Sequence, residues 1–384
     1  MKYELKNNVV TLFLEGELNS YNADNIEKEI DDTLKGQTFN KLVLDFSHIS
    51  YISSAGLRIV LKLKQKYHDL SIIETSLEVY DIFSMTGFTN IVNIKKGLRR
   101  VYVSGAEIVG EGYYSTVYRI DKDTIIKVFN RVSDTEQIER ELSLAKEAFV
   151  LGIPTAISFD IVRVDDKLGV RFEMLDCQSL KNMVLSYPER ANEFIDKYAA
   201  LLKKMNTTEC FNPNIPDMKQ AYITKLDKIK KLIPNDAFEK VSKMLNDIPE
   251  RHTLIHGDCH FKNIMVQNDE LLLIDMDTLS VGYPIFEFAA LYAAYCAFNE
   301  DDPGNSERFF GIKDEDALAL YKALVKRYFG KEDKVIEDKI RIVAYVHMLR
   351  WSDNNEPGNT KRIEGCSGRL LKLLEQYNDL DLGI

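Results

Sequence analysis

The chain has little with which to staple itself together. Its 384 residues include five cysteines, at 177, 210, 259, 296 and 366, odd in number and scattered, and no pair has CxxC spacing. That excludes a disulfide framework and a zinc ribbon, and a reducing cytoplasm fits best. No basic stretch followed by an apolar run opens the sequence, so no signal peptide is expected. The longest apolar run, Phe286–Phe298, is interrupted by Glu287 and is too short to span a bilayer. Internal repeats and low-complexity tracts are missing, and there is one tryptophan, Trp351. A basic excess is missing too. Lysine and arginine total 50 against 60 acidic residues, for a formal charge of −10. Residues 1–100 hold 13 basic and 13 acidic side chains, so the remaining 37 and 47 carry the whole excess. Such a body argues against nucleic acid and towards a cationic substrate.

What is present is a soluble, globular composition, 45% hydrophobic and 29% charged, with a length that calls for two or three domains. Residues 1–98 alternate short strands and helices: strands at 9–14, 42–46, 70–73 and 91–94, helices at 23–34, 55–67 and 77–85. A polar boundary follows at Gly97-Leu98-Arg99-Arg100. Beyond it, strands are expected at 107–109, 116–120 and 124–129, a helix at 135–151, and strands near 157–164 and 169–173. From Ser179 onward nearly everything reads as helix, apart from a hairpin around 264–275. A strand-rich lobe joined to a helical lobe leaves a cleft between them.

Several stretches of the second half carry chemistry. Gly110 and Gly112, in IVGEGYYSTVYRI, lie between two strands, with Ser115 where a third glycine could stand. Small residues there let backbone N–H groups approach phosphate oxygens, and a plain hairpin turn is the alternative. In TIIKVF, alternation places Ile125, Lys127 and Phe129 on one face. A lysine there needs an anion, a nucleotide phosphate, unless it is an edge-strand residue reaching solvent. Glu139 and Glu141 of the following helix are its possible partners, Glu141 the preferred one because it neighbours the inward Leu142.

The richest stretch is LIHGDCHFKNIMVQNDELLLIDMDT, residues 254–278. Phosphoryl transfer needs a carboxylate beside the attacking hydroxyl and hard oxygen ligands for Mg²⁺. Asp258 suits the first role, and Asn263 and Asp275 the second. His256 reads as a brace for the loop, whereas His260 could reach a phosphate oxygen. The rival is a metallohydrolase with His256, Asp258 and His260 as ligands.

These motifs support a resemblance. Residues 105–298 resemble the aminoglycoside phosphotransferase and choline kinase family, relatives of the protein kinases. Its H-G-D-x-H-x-x-N loop is matched at His256–Asn263, its IDxD at Ile274–Asp277, and its downstream G-x-P at Gly282-Tyr283-Pro284 followed by Phe286-Glu287. Glu287 stands where the family usually has aspartate. The resemblance implies ATP and Mg²⁺ as cofactors, a Lys127–Glu141 pair, and a hinge at 172–176 whose backbone, at Glu173 and Leu175, would bind adenine. It implies a small-molecule hydroxyl acceptor without naming it. Asp301, Asp302, Asp353 and Glu356, in two acidic loops, could hold an amine there, and Trp351 is core or substrate platform.

In the first half, strand 42–46 runs through a loop into a helix with Ser54 at its N-cap, where its hydroxyl would satisfy an orphan N–H. A phosphate there would also meet the positive end of a helix. Residues 3–98 resemble a STAS domain, the fold of anti-sigma factor antagonists, with Ser53-Ser54-Ala55-Gly56-Leu57 matching its signature and Ser54 its regulated serine. Ser53 stands where many members have aspartate.

The expectation is thus an α/β STAS domain at 1–99, for regulation or partner binding, and an α+β bilobal protein-kinase-like domain at 100–384, with a strand-rich lobe at 100–177 and a helical lobe at 178–384. The whole is a cytoplasmic ATP- and Mg²⁺-dependent phosphotransferase. The alternatives are a nucleotide-sensing, partner-switching regulatory protein and a kinase acting on a protein serine such as Ser54.

Overall fold

A computed structural model describes residues 1–111, 115–131, 135–377 and 380–384. They form two compact units, residues 1–102 with 162–166, and residues 103–161 with 167–384. Among the described residues, no helix is long and apolar enough to cross a membrane.

The first unit is built on β1 (Lys2–Lys6), β2 (Val9–Leu18), α1 (Ala23–Leu34), β3 (Lys41–Ile52), α2 (Ser54–Lys66), β4 (Leu70–Thr75), α3 (Leu77–Met85) and β5 (Asn93–Lys96). The sheet order is β1-β2-β3-β4-β5, parallel except for the β1–β2 pair. Alternation along β2 buries Val10, Leu12 and Leu14, and the face of α1 buries Ile30 and Leu34. Phe46 of β3 meets Phe83 of α3 with ring centroids 5.9 Å apart.

The start of α2 corrects one expectation. Ser53, not Ser54, is the N-cap: its hydroxyl accepts from the Ala55 N–H at 3.2 Å. Ser53 is the extended residue immediately before the helix, where capping geometry is available, whereas Ser54 already lies in the first turn with its side chain exposed. Gly56 explains the rest of the motif. A Cβ there would stand 2.7 Å from Ile52 Cγ1 and 2.8 Å from the Leu18 carbonyl oxygen, so the helix packs on bare backbone. Gly56→Ala is expected to destabilise the first unit by about 1–3 kcal/mol through overpacking, read as an earlier urea midpoint in the full chain. An unchanged midpoint would mean that the close approach is not needed.

The second unit follows the two-residue β6 (Arg99–Arg100). Its sheet contains β7 (Glu107–Glu111), β8 (Ser115–Arg119), β9 (Thr124–Phe129), β10 (Ser158–Val164) and β11 (Lys167–Glu173), in the order β10-β11-β9-β8-β7, with α4 (Thr135–Val150) between β9 and β10 in sequence. Residues 162 and 163 of β10 pair in parallel with β6, and 162–166 group with the first unit.

The helical portion runs through β12 (Gln178–Ser179), α5 (Leu180–Ser186), α6 (Ala191–Thr207), α7 (Met218–Thr224), α8 (Asn235–Asn246), β13 (Leu254–Ile255), β14 (Ile264–Gln267), β15 (Glu270–Leu273), β16 (Ser280–Val281) and α9 (Ile285–Tyr292). A π-helical turn at Ala293–Ala297 leads into α10 (Phe298–Asp301), α11 (Asn305–Phe310), α12 (Asp314–Phe329), α13 (Lys334–Asn355) and α14 (Thr360–Gln376). Its core is dense in aromatics, with Tyr198, Phe194, Phe288, Tyr295, Tyr321 and Tyr345 essentially inaccessible.

Candidate active site

Lys127 is on an interior strand. Within the sheet it pairs with Val117 of β8 on one side and Val170 of β11 on the other, so the edge-strand reading of this lysine does not hold. Its Nζ lies 3.1 Å from Glu141 Oε1 of α4 and also bonds Asp275 Oδ1. Burial works against the lysine's charge, but Asp275 and Glu141 outweigh it and hold the pKa above the ordinary lysine range. Among the described residues Lys127 pairs with Glu141 and Asp275, and not with Glu139, the other sequence candidate. The Glu141 ion pair ties α4 to β9.

Asn263 and Asp275 are placed by a hairpin. β14 and β15 pair from Ile264↔Leu273 to Gln267↔Glu270, and the Ile274 N–H donates to the Asn263 carbonyl at 3.0 Å. The two candidate ligands therefore flank the open end of one ladder. Asp275 has φ 63° and ψ 61°, a left-handed conformation that aspartate tolerates better than most residues. Asn263 Nδ2 donates to the Asp258 carbonyl at 3.0 Å and to Asp258 Oδ2 at 3.1 Å. Among the described residues its Oδ1 keeps no partner and is free for a cation.

The loop carrying Asp258 is held on several sides. The His256 ring is buried and neutral, its pKa lowered by desolvation. Its Nδ1 accepts from the Asp258 N–H at 3.3 Å and its Nε2 donates to the Ile274 carbonyl at 3.1 Å. Both ring nitrogens are thus spent inside the protein, which removes His256 from any metal-ligand set. Among the described residues, no group of three or more His, Cys, Asp or Glu side chains is arranged to hold a metal ion. The metallohydrolase alternative loses its ligands on this geometry. Gly257, at φ +80°, makes the turn that a Cβ would obstruct at 3.2 Å from the Thr278 carbonyl. Thr278 Oγ1 in turn donates to the His256 carbonyl at 2.6 Å.

Glu287 is the main support that sequence reasoning left undefined. Fully buried, it accepts the His256 N–H at 2.7 Å and the Gly257 N–H at 3.2 Å. Burial pushes its carboxyl up to about 7 against the pull of these backbone donors. Tyr295, from the π-helical turn, accepts the Phe261 N–H at 2.8 Å, and Tyr198 of α6 donates to the Cys259 carbonyl. No local motif marks these two tyrosines, because their bonds go to backbone atoms 34 and 61 residues away in sequence. Glu287→Ala would strand two buried N–H donors and is expected to cost about 2–5 kcal/mol of stability, measured by chemical unfolding. Glu287→Asp should cost less, and equal losses in the two variants would argue against the backbone-anchor role.

Asp258 keeps about half of its side chain accessible, at 48%. The protein around it pushes its carboxyl up to about 6, chiefly through desolvation. His260 Nε2 lies 3.6 Å from Asp258 Oδ1. The His260 ring is buried edge-on against Phe309 and Phe310, and among the described residues its Nδ1 finds no partner. Asp277, missed as a site residue although part of the IDxD motif, joins Asp275 and Glu141 in one negative field. Desolvation and these two neighbours push its carboxyl up to about 7. The unused Asn263 oxygen and this excess of carboxylates over Lys127 fit a hard divalent cation.

Above the carboxylates lies a cleft of about 360 Å³. Gly110, Ser115, Lys127, Glu173 and Leu175 line it, with a flat apolar slot formed by Val117, Ile125, Ala145, Met265 and Ile274. Gly112 falls outside the described residues. The hinge is anchored by its own bonds: the Ile157 N–H donates to Glu173 Oε1 at 3.0 Å, and the Met174 N–H to the Asp123 carbonyl at 2.8 Å. Among the described residues, the Leu175 N–H has no protein acceptor and borders the cleft.

The acidic candidates for holding an amine are engaged elsewhere, which corrects the expectation placed on them. Asp301 bonds Arg369, Asp302 pairs with Arg308 at 2.5 Å, Asp353 with Lys231 at 2.7 Å, and Glu356 with Arg362. Trp351 packs edge-on against Phe298, centroids 5.0 Å apart, with the Arg362 guanidinium over its ring.

A lysine between two carboxylates, a half-exposed aspartate braced by an asparagine, and an apolar slot under a hinge define a kinase-type phosphotransferase acting on a hydroxyl group. The chain belongs to the phosphotransferase enzyme family, whose model matches residues 105–321, and residues 1–100 match the STAS domain. BtrV of Bordetella bronchiseptica, described as an anti-sigma factor antagonist, is 39% identical over 83 residues, which cover 20% of this chain and 70% of BtrV. Among solved structures, ADP-bound aminoglycoside phosphotransferase APH(2'')-Ib matches 76% of this chain and 98% of its own at 14% identity and a TM-score of 0.49. A choline/ethanolamine kinase family protein from Mesorhizobium loti matches 70% and 88%, at 14% identity and a TM-score of 0.46. An N-terminal STAS domain followed by a kinase-like fold is the fold class read from the sequence.

Proposed function

We propose that the second unit transfers the γ-phosphoryl group of ATP to a hydroxyl of a small molecule, and that the first unit binds a regulatory protein partner. The observation that carries the reading is the meeting of Lys127, Glu141 and Asp275 in one cleft, with Asn263 tying that cleft to Asp258. Adenine would occupy the apolar slot and take the free Leu175 N–H. Lys127, oriented by Glu141, would hold the α- and β-phosphates. Mg²⁺, bound by Asn263 and Asp275, would neutralise charge on the phosphates. Asp258 orients the acceptor hydroxyl and takes its proton. The bond from the γ-phosphorus to the ADP oxygen breaks as the bond to the acceptor oxygen forms. His260 and Glu287 are positioning residues for Asp258 and its loop. Rate gain comes from alignment and charge stabilisation, with no covalent intermediate.

Support for a partner role of the first unit comes from its likeness to BtrV and from Ser54, exposed in the first turn of α2, where added phosphate would meet the positive helix end. Five unpaired cysteines fit a reducing compartment such as the cytoplasm.

One experiment tests the phosphotransferase part and asks whether Ser54 is its target. The full chain is incubated with Mg-ATP and a library of sugars, amino alcohols and hydroxy acids, ADP release is followed, and the Ser54 peptide is then weighed. Mg²⁺-dependent ADP release with a phosphorylated acceptor is expected. Nucleotide binding without turnover points instead to a sensor, and neither binding nor turnover ends the reading. Phosphate on Ser54 as the sole product identifies a protein-serine kinase.

A further inference from the structure

Two lysines beside the proposed base remain unexplained. Lys262 lies four residues past Asp258 in the same loop. Its Nζ stands 4.2 Å from the centroid of Phe309 and donates to the Phe309 carbonyl at 3.3 Å. Lys181 is the second residue of α5, whose start is tethered to that loop by the Lys181 N–H donating to the Phe261 carbonyl at 3.2 Å. The Lys181 ammonium lies 3.6 Å from the position a Cβ on Gly311 would occupy. Two like charges from separate elements thus address the same short segment, 309–311, at one side of Asp258. Among the described residues neither lysine is ion-paired with a carboxylate; their ammonium groups meet only the 309–311 segment. Phe309, under the Lys262 ammonium, stays 48% exposed.

Bringing ammonium groups together without a counterion costs free energy. Elsewhere this helical region pairs its charges: Asp301, Asp302, Asp353 and Glu356 each have a cation from the chain itself. Those carboxylates are spent, so nothing among them is left to hold a cationic acceptor. At segment 309–311, by contrast, Lys181 and Lys262 bring positive charge that no ion pair takes up.

We propose that Lys181 and Lys262 form the recognition site for an anionic group on the acceptor, so that the substrate is a small hydroxyl compound bearing a carboxylate or a phosphate rather than an amine. The inference rests on the phosphotransferase reading and specifies its substrate class. The paired ammonium groups also offset the repulsion between such an acceptor and the Asp258 carboxylate. Phe309 covers the apolar part of the acceptor.

The test uses the full chain with Mg-ATP and three acceptor arms: hydroxycarboxylic acids, phosphorylated sugars and polyols, and uncharged or cationic hydroxyl compounds including aminoglycosides and choline. Phosphorylated product is identified by mass. Turnover confined to one of the first two arms is expected, and which arm responds separates carboxylate from phosphate. Lys262→Glu should then raise the acceptor KM about tenfold or more, and Lys181→Ala by less, while the ATP KM moves by less than about twofold. Turnover only with uncharged or cationic acceptors, or a Lys262→Glu effect that falls on the ATP KM, overturns the proposal and leaves the phosphotransferase reading standing; transfer only to protein overturns both the proposal and the small-molecule acceptor. ATP binding without transfer in any arm overturns the proposal and the phosphotransferase reading together, and points to a sensor. Absence of ATP binding overturns the underlying reading itself, a result that direct nucleotide titration distinguishes from the others.

Discussion

Asp258→Ala is expected to lower phosphoryl transfer by about 10²–10⁴-fold, the range for loss of a positioned base, and to leave nucleotide affinity near that of the unaltered protein. The separation follows from where the carboxylate stands. It does not line the nucleotide cleft, whose walls come from β7, β8, β9, α4, residues 155–156, the hinge, β14 and the residues that follow β15. The loop is held largely by backbone bonds to Glu287, Tyr295, Tyr198 and Thr278, and these do not use the Asp258 side chain. Truncation removes one direct bond, from Asn263 Nδ2, which retains the Asp258 carbonyl. ADP release and an independent nucleotide titration read the two effects separately. Undiminished transfer would remove Asp258 from the reaction. A parallel collapse of nucleotide affinity would mean that the side chain organises the cleft.

Lys127→Met should act on the other side of that division. The ammonium is the internal counterion for Glu141 and Asp275, and Lys127 and Glu141 are only 17% and 16% exposed. Removing it leaves repelling carboxylates in the cleft where phosphates must enter. Truncation of one member of a desolvated charge pair costs about 2–5 kcal/mol, or about 30-fold and upward in nucleotide affinity. Glu141→Gln keeps the lysine and its second partner, so its loss should be smaller. Equal effects in the two variants would show that orientation by Glu141 matters as much as the charge it orients. Wild-type affinity in Lys127→Met would remove the lysine from nucleotide binding.

How much could be read from the chain depended on whether the information was local. β9, α1 and α3 have the bounds that alternation and helical spacing indicate, since each buries a regular face. β1 gave no such signal: all five of its residues are exposed, and only pairing with β2 makes it a strand. β3 runs on to Ile52, through Ser47–Tyr51, because its pairing with β2 continues past two register shifts that polar side chains conceal. In the candidate site, the residues brought together around the cleft are carried by two compact motifs and one strand. Their supports are not, since Tyr198 and Tyr295 arrive from distant helices to bind main-chain atoms. The acidic loops misled for a related reason. Arg369 and Lys231 are far along the chain from Asp301 and Asp353, and no local pattern shows that these two carboxylates are already neutralised.

The β14–β15 hairpin has a consequence for how this kind of sequence can change. Asn268 and Asp269 at its tip both have positive φ, 50° and 65°, the geometry of a tight two-residue reversal. The distance along the chain from Asn263 to Asp275 is therefore set by the ladder and its tip, whereas their proximity in space is set at the ladder's other end. Residues added at the tip would lengthen the interval in the alphabet of the chain and leave the two oxygens where they are. A one-residue slip within the rungs would keep the interval and turn one strand's side chains inside out. Register is the inherited quantity here, and spacing its by-product.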